Sequence, residues 1–94
     1  MFSTVDIRLG PEPGRDEIFD VCRRAKEALP SGQPLRLVTE DVQRVSPALA
    51  QLIIGISRAA GPDAPFTLVS PSAPLVDAFQ AYGLFADFMT IPME

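Results

Sequence analysis

The chain contains no histidine and no tryptophan, and only one cysteine and one tyrosine, in 94 residues. Each gap removes some chemistry. Without histidine, the commonest general base and the commonest neutral metal ligand are missing. The lone Cys22 can form neither an internal disulfide nor a cysteine-rich zinc site. A single thiol suits a reducing cytoplasm. No GxxxxGK[ST] phosphate loop and no G-x-S-x-G elbow occurs. Positive charge is scarce as well. The net charge is −4, and the 8 Lys and Arg residues are scattered, with Arg23-Arg24 the only adjacent basic pair. Nucleic acid is therefore not an expected partner. No apolar run approaches the roughly 20 residues that span a bilayer, so membrane insertion is not expected. Met1 is followed by Phe2, Ser3 and Thr4 rather than by a basic segment and an apolar stretch, so no secretory leader is expected either.

What remains is an ordinary globular composition, 47% hydrophobic. The length implies a single domain over 1–94 with a modest core. Ten prolines fall mostly between apolar segments, where they act as punctuation. The most informative stretch runs over 35–60. Leu35, Leu37 and Val38 make an apolar run of strand length. Glu40, Asp41, Gln43 and Arg44 then surround two apolar plugs, Val42 and Val45. From Pro47 onward Leu49, Leu52, Ile53 and Ile56 recur at helical spacing. Pro47 fits the first helical position, where a missing N–H costs nothing, and Ser46 fits the cap before it.

The rest of the chain alternates in the same way. Over 2–9, Val5, Ile7 and Leu9 share one face at period two, which predicts a half-buried strand. Gly10, Pro11, Pro13 and Gly14 break regular structure. Ile18, Val21, Cys22, Ala25 and Leu29 mark one face of a helix over 15–29, ended by Pro30-Ser31-Gly32. A helix over 47–60 is closed by Gly61-Pro62. Phe66, Leu68 and Val69 predict a third strand over 65–70. A helix over 72–82 follows, with Ser72 as cap, Pro74 in its first turn and Gly83-Leu84 as a left-handed ending. Phe88, Met89 and Ile91 suggest a short last strand before Pro92. Strands alternating with helices imply an α/β fold with mainly parallel pairing and right-handed crossovers.

The segment Val42-Gln43-Arg44-Val45-Ser46-Pro47-Ala48-Leu49-Ala50, after its apolar strand and before its apolar helix, resembles the central segment of STAS domains. That family includes the anti-sigma factor antagonists and the cytoplasmic tails of sulfate transporters. Its pattern is Val-x-x-Ile-Asp-Ser-Ser-Gly-Leu opening an apolar helix. The apolar framework matches. Ser46, however, stands at the family's Asp, Pro47 at its phosphorylated Ser or Thr, and Leu49 at its Gly. The β-α-β-α-β-α order and the ending at Gly83-Leu84 extend the resemblance over most of the chain. The usual extra strand before the first helix has no room in 10–14.

The resemblance implies a STAS-like, mainly parallel sheet of four or five strands with about three to four helices. It also implies a non-catalytic regulatory module in bacterial signal transduction and transcription regulation, without cofactor or metal. Its partner would be a protein, either a kinase-like anti-sigma factor or, for the rival reading of an accessory subunit in an ABC-type lipid transporter, an ATPase. Self-association into a homodimer is an open alternative. Since neither Pro47 nor Ala48 carries a hydroxyl, the family's phosphorylation switch is expected to be absent, or moved onto Ser46. Helix 47–60 offers the expected partner surface. Leu49, Ala50, Leu52, Ile53, Ile54 and Ile56 cover an arc of roughly 200°, wide for one sheet contact. The candidate contact residues are Ser46, Ala48, Gln51, Leu52, Ile54, Gly55 and Arg58. A reading of another class, a small enzyme or ligand carrier, would rest on Cys22 or on Glu40 and Asp41. Cys22 lies on an apolar helix face with no candidate base, so burial is the expectation. Adjacent carboxylates on a polar loop are most often a solvated turn.

Overall fold

The computed structural model describes residues 4–60 and 65–94. Phe2 and Ser3, in the expected first strand, and Gly61-Pro62, the expected stop of the second helix, lie outside the described residues. The elements run β1 (Val5–Arg8), α1 (Arg15–Ala28), β2 (Leu35–Val38), α2 (Pro47–Ala59), β3 (Phe66–Val69), α3 (Ala73–Ala81) and α4 (Phe85–Phe88). The three strands form one parallel sheet in the order β1-β2-β3. Val5, Leu35 and Phe66 lie in one row across it, and Ile7, Leu37 and Leu68 in another.

This in-register stacking follows from the alternation in the sequence. Ile7, Leu35, Leu37, Phe66 and Leu68 are all buried, whereas Asp6 and Arg8 are exposed and Arg36, Val38, Thr67 and Val69 are half-buried. With right-handed crossovers, a run of adjacent parallel strands carries its connecting helices on one face. The core agrees: the inward residues of the strands cluster with Val21 and Ala25 of α1, Leu49, Ala50, Ile53 and Ile56 of α2, and Leu75 and Phe79 of α3. The opposite face carries ion pairs. Arg36 meets Asp6 at 3.4 Å and Glu94 at 2.9 Å.

Among the described residues the sheet has three full strands. A fourth segment joins it through a single parallel bridge, Met93 beside Leu68. Leu68 and Ser70 donate their N–H groups to the carbonyls of Pro92 and Glu94, each at 2.9 Å, and Glu94 N–H returns to Leu68 at 2.8 Å. The sequence placed that pairing earlier, at Phe88, Met89 and Ile91. Phe88 instead ends α4 and Met89 caps it. The reason is periodicity. Phe88 and Ile91 are buried three residues apart, with Met89 63% exposed between them, which is helical rather than period-two spacing.

The ends of α3 show how local sequence sets the path. The Ser72 hydroxyl accepts from Leu75 N–H at 3.2 Å and donates to the Val42 carbonyl at 2.6 Å, so one side chain caps α3 and ties it to the loop after β2. At the other end Gly83 takes φ +72°. Its N–H donates to Gln80 at 3.1 Å, and Leu84 N–H reaches back to Phe79 at 2.8 Å, which is the full Schellman pattern. That turn swings α4 back, so the rings of Phe79 and Phe88 lie 4.7 Å apart. A side chain at Gly83 would have open space but the wrong backbone conformation. Gly83→Ala is therefore expected to lower stability by about 1 kcal/mol, read by urea unfolding. A wild-type midpoint would show that this turn relaxes freely.

Candidate functional site

The loop between β2 and α2 sets the position of the site. Val42 is buried in the core and Val45 packs against it, so both apolar plugs do what their spacing suggests. The loop's amides are used. Gln43 and Arg44 donate to Pro11 at 2.7 and 3.1 Å, and Val42 donates to Thr39 at 3.2 Å. The Tyr82 hydroxyl donates to the Val45 carbonyl at 2.6 Å. These bonds fix the chain as it reaches Ser46. Ser46 is extended at φ −79°, ψ 156°, and its hydroxyl accepts from Leu49 N–H at 3.2 Å. Pro47 is the first helical residue. Ser46 is thus a working N-cap, and its oxygen is committed to the helix.

From this cap a groove runs between α1 and α2. Near the cap it is lined by Pro13, Gly14, Ile18, Phe19, Ser46 and Ala48. Further along, a cleft of about 480 Å³ is lined by Cys22, Lys26, Leu29, Gln51, Leu52 and Gly55 among others. Ala48 belongs to both parts. Of the residues expected to meet a partner, Ser46, Ala48, Gln51, Leu52 and Gly55 line this groove. Two do not. Ile54 is buried, 7% exposed, inside the core cluster. The wide apolar arc of α2 is therefore largely an inward-facing surface, and only Leu52 on its flank is half-buried at the groove. Arg58 points elsewhere and pairs with Asp87 of α4 at 3.2 Å.

The groove contains a residue that the sequence reading did not single out. Phe19 is 70% exposed. It falls between Ile18 and Asp20, off the stripe formed by Ile18, Val21, Cys22 and Ala25. An aromatic residue on the polar side of an otherwise regular amphipathic helix was the available signal. Gly55 is the second notable feature. It sits inside α2, is exposed, and a Cβ built there would meet nothing within 4 Å. Among the described residues no contact requires glycine at this position.

The chemical candidates resolve differently. Cys22 is half-buried at the groove wall, so the expectation that the thiol is largely buried holds only in part. Glu40 and Asp41 both hold Arg8. Asp41 Oδ2 accepts from Arg8 Nε at 3.1 Å, and Glu40 Oε1 accepts from Arg8 Nη2. Hydrogen bonds from Arg8 to Glu40 and then Asp41 raise the guanidinium pKa above its ordinary value. The pair ties the end of β1 to the start of the β2–α2 loop. It also borders a shallow crevice at the carboxyl ends of the strands, with Pro11, Gln43, Ser72 and Pro74. Among the described residues no three His, Cys, Asp or Glu side chains gather as a metal site. None of their helices is long and apolar enough to cross a membrane.

No protein-family model matches the chain, and no curated protein and no solved structure compared with it matches either.

The cap is open to direct measurement. Ser46→Ala is expected to cost about 0.5–2 kcal/mol in chemical denaturation, because Leu49 N–H loses its acceptor. Ser46→Asp should stay near wild type, since aspartate also caps and its charge suits the helix dipole. Equal losses in both variants would contradict the capping role.

Proposed function

We propose that this chain is a non-catalytic, cytoplasmic protein-interaction module of the STAS-like type, an antagonist that docks on a kinase-like anti-sigma factor through the α1–α2 groove and the α2 N-terminus. The observation that carries the reading is the open apolar groove beginning at the Ser46 cap. Phe19 stands exposed at its mouth, and Ala48, Leu52 and Gly55 form its α2 wall. A large exposed aromatic beside small residues is the composition of a docking surface rather than of a solvated helix pair.

Gly55 adds support on energetic grounds. Glycine inside a helix costs roughly 1 kcal/mol relative to alanine. Its position here has room for a side chain, so intramolecular packing does not explain it. Close approach of a partner's side chains or backbone does. Pro47 adds a second distinction. A family switch at this position needs a hydroxyl, and proline has none. The interaction is therefore constitutive, with Ser46 serving the fold.

The test uses the chain as bait in extracts of its native cell, with mass spectrometry and groove variants as controls. Gly55→Ala is expected to raise stability by about 0.5–1 kcal/mol. Gly55→Trp and Phe19→Ser should leave the melting curve near wild type and abolish capture of the anti-sigma factor. Phosphate should not appear on the helix entrance after incubation with that kinase and ATP. Capture unaffected by either groove variant would contradict the docking site. An ABC-type ATPase captured through the same groove would reassign the partner. Phosphate on Ser46 that weakens binding would replace the constitutive reading with a displaced switch.

A further inference from the structure

The two edges of the sheet are unlike. At β3 the edge is occupied by residues 92–94, which exchange backbone hydrogen bonds with Leu68 and Ser70. At the other edge, among the described residues, β1 pairs with β2 alone. The direction of its backbone groups follows from two bonds. Val5 and Leu9 donate to Pro34 and Val38 on the β2 side, at 2.9 and 3.1 Å. Backbone groups alternate in direction along a strand. Val5, Ile7 and Leu9 therefore turn theirs toward β2, and Asp6 and Arg8 turn theirs outward. An open row of donors and acceptors is a template for another strand unless something blocks it. β1 contains neither proline nor lysine, and its own protection is limited to its shortness, four residues, and the charges of Asp6 and Arg8. It carries one charge of each sign.

We infer that β1 is the interface of a two-fold homodimer, in which β1 of a second copy adds antiparallel to this edge with the axis at Ile7. The sequence Val5-Asp6-Ile7-Arg8-Leu9 is complementary to its own reverse. In this register Asp6 stands opposite the second copy's Arg8, Val5 opposite its Leu9, and Ile7 opposite Ile7. Asp6 and Arg8 are the residues with outward backbone groups, so each such pair exchanges both N–H···O=C bonds. Ile7 falls at the non-hydrogen-bonded position, where side chains approach most closely. The apolar pairs lie on the helix-bearing face and the charged pairs on the open face, in continuity with the faces within each copy.

Charge complementarity also selects the register. Moving the axis to Asp6 sets Asp6 against Asp6, and moving it to Arg8 sets Arg8 against Arg8. Like charges directly opposite disfavour both. The contacts of Arg8 with Glu40 and Asp41 use Nε and Nη2, which leaves Nη1 for the second copy's Asp6. Asp6 in turn is held beside Arg36 at 3.4 Å. The dimer thus joins the two ion-pair networks into one row across the seam, with no residue of the α1–α2 groove in the interface.

Sedimentation of the full chain over a concentration series tests this. The mass is expected to rise from the 10.2 kDa of one chain to twice that value. Amide exchange should show protection at Asp6 and Arg8 that grows with concentration, while Leu68, already paired, stays constant. Asp6→Arg and Arg8→Asp should each weaken self-association by about tenfold or more. An equimolar mixture of the two should recover the dimer, because every cross-strand pair is then again of opposite sign. Asp6→Pro removes an outward N–H and no β1–β2 bond, and should be monomeric with a wild-type circular dichroism spectrum. A chain that stays monomeric throughout, or a dimer that persists in the charge variants without new protection at Asp6 and Arg8, would overturn the inference.

Discussion

One-sided burial of a parallel sheet is the constraint on which the rest of this molecule depends. Ile7, Leu35, Leu37, Phe66 and Leu68 point into a single helix-covered core, and the residues between them point away from it. Purely parallel sheets usually have both faces covered. Here, among the described residues, the face away from the helices carries the paired charges of Asp6, Arg8, Arg36 and Glu94 beside the half-buried Val38, Thr67 and Val69. Such exposed ion pairs contribute little stability each. Their role is to add charge to the face away from the helices, which favours packing through the other. Stability then rests on the helix side, where Leu37, Leu49, Ile53, Leu68, Leu75 and Phe79 are fully buried.

The two proposed interaction surfaces follow from this arrangement. Helices α1 and α2 lie side by side on the covered face, and the groove between them is floored by side chains already committed to the core. Its rim holds Phe19, Ala48 and Gly55, all exposed among the described residues. At the sheet edge, the same alternation that turns Asp6 and Arg8 away from the core makes their charges available on the open face. Neither surface involves the residues of the other. A dimer through β1 would present two grooves, so partner docking and self-association are compatible.

Much of this was legible in the sequence because local signals and tertiary packing agree. Leu35 to Val38 was bounded correctly by its apolar run, and Ser46-Pro47, Ser72 and Gly83-Leu84 were recognisable as caps by their chemistry. Where the reading departed, a single helix or strand pattern was insufficient. Helical angle places Ile54 on the flank of the α2 arc, either under neighbouring elements or in a partner patch, and angle alone does not say how far those neighbours wrap around. Phe88, Met89 and Ile91 lie close enough together to fit either a strand or a helical period, so the sequence alone does not separate the two. Phe19 and the open edge of β1 could not be weighed before the groove and the strand order were known. The polar pair Glu40 and Asp41 required Arg8, more than thirty positions away, to acquire a meaning.

The most direct test compares two neighbouring residues on opposite faces of the central strand. Leu37 is fully buried and Arg36 is about one-third exposed on its side chain. Urea unfolding of Leu37→Ala and Arg36→Ala measures how one-sided the sheet is. Burial on one face predicts a loss of about 2–5 kcal/mol for Leu37→Ala and a far smaller one for Arg36→Ala, whose ion pairs are exposed to solvent. Comparable losses in the two variants would mean that both faces of the sheet carry the fold, and would contradict the account.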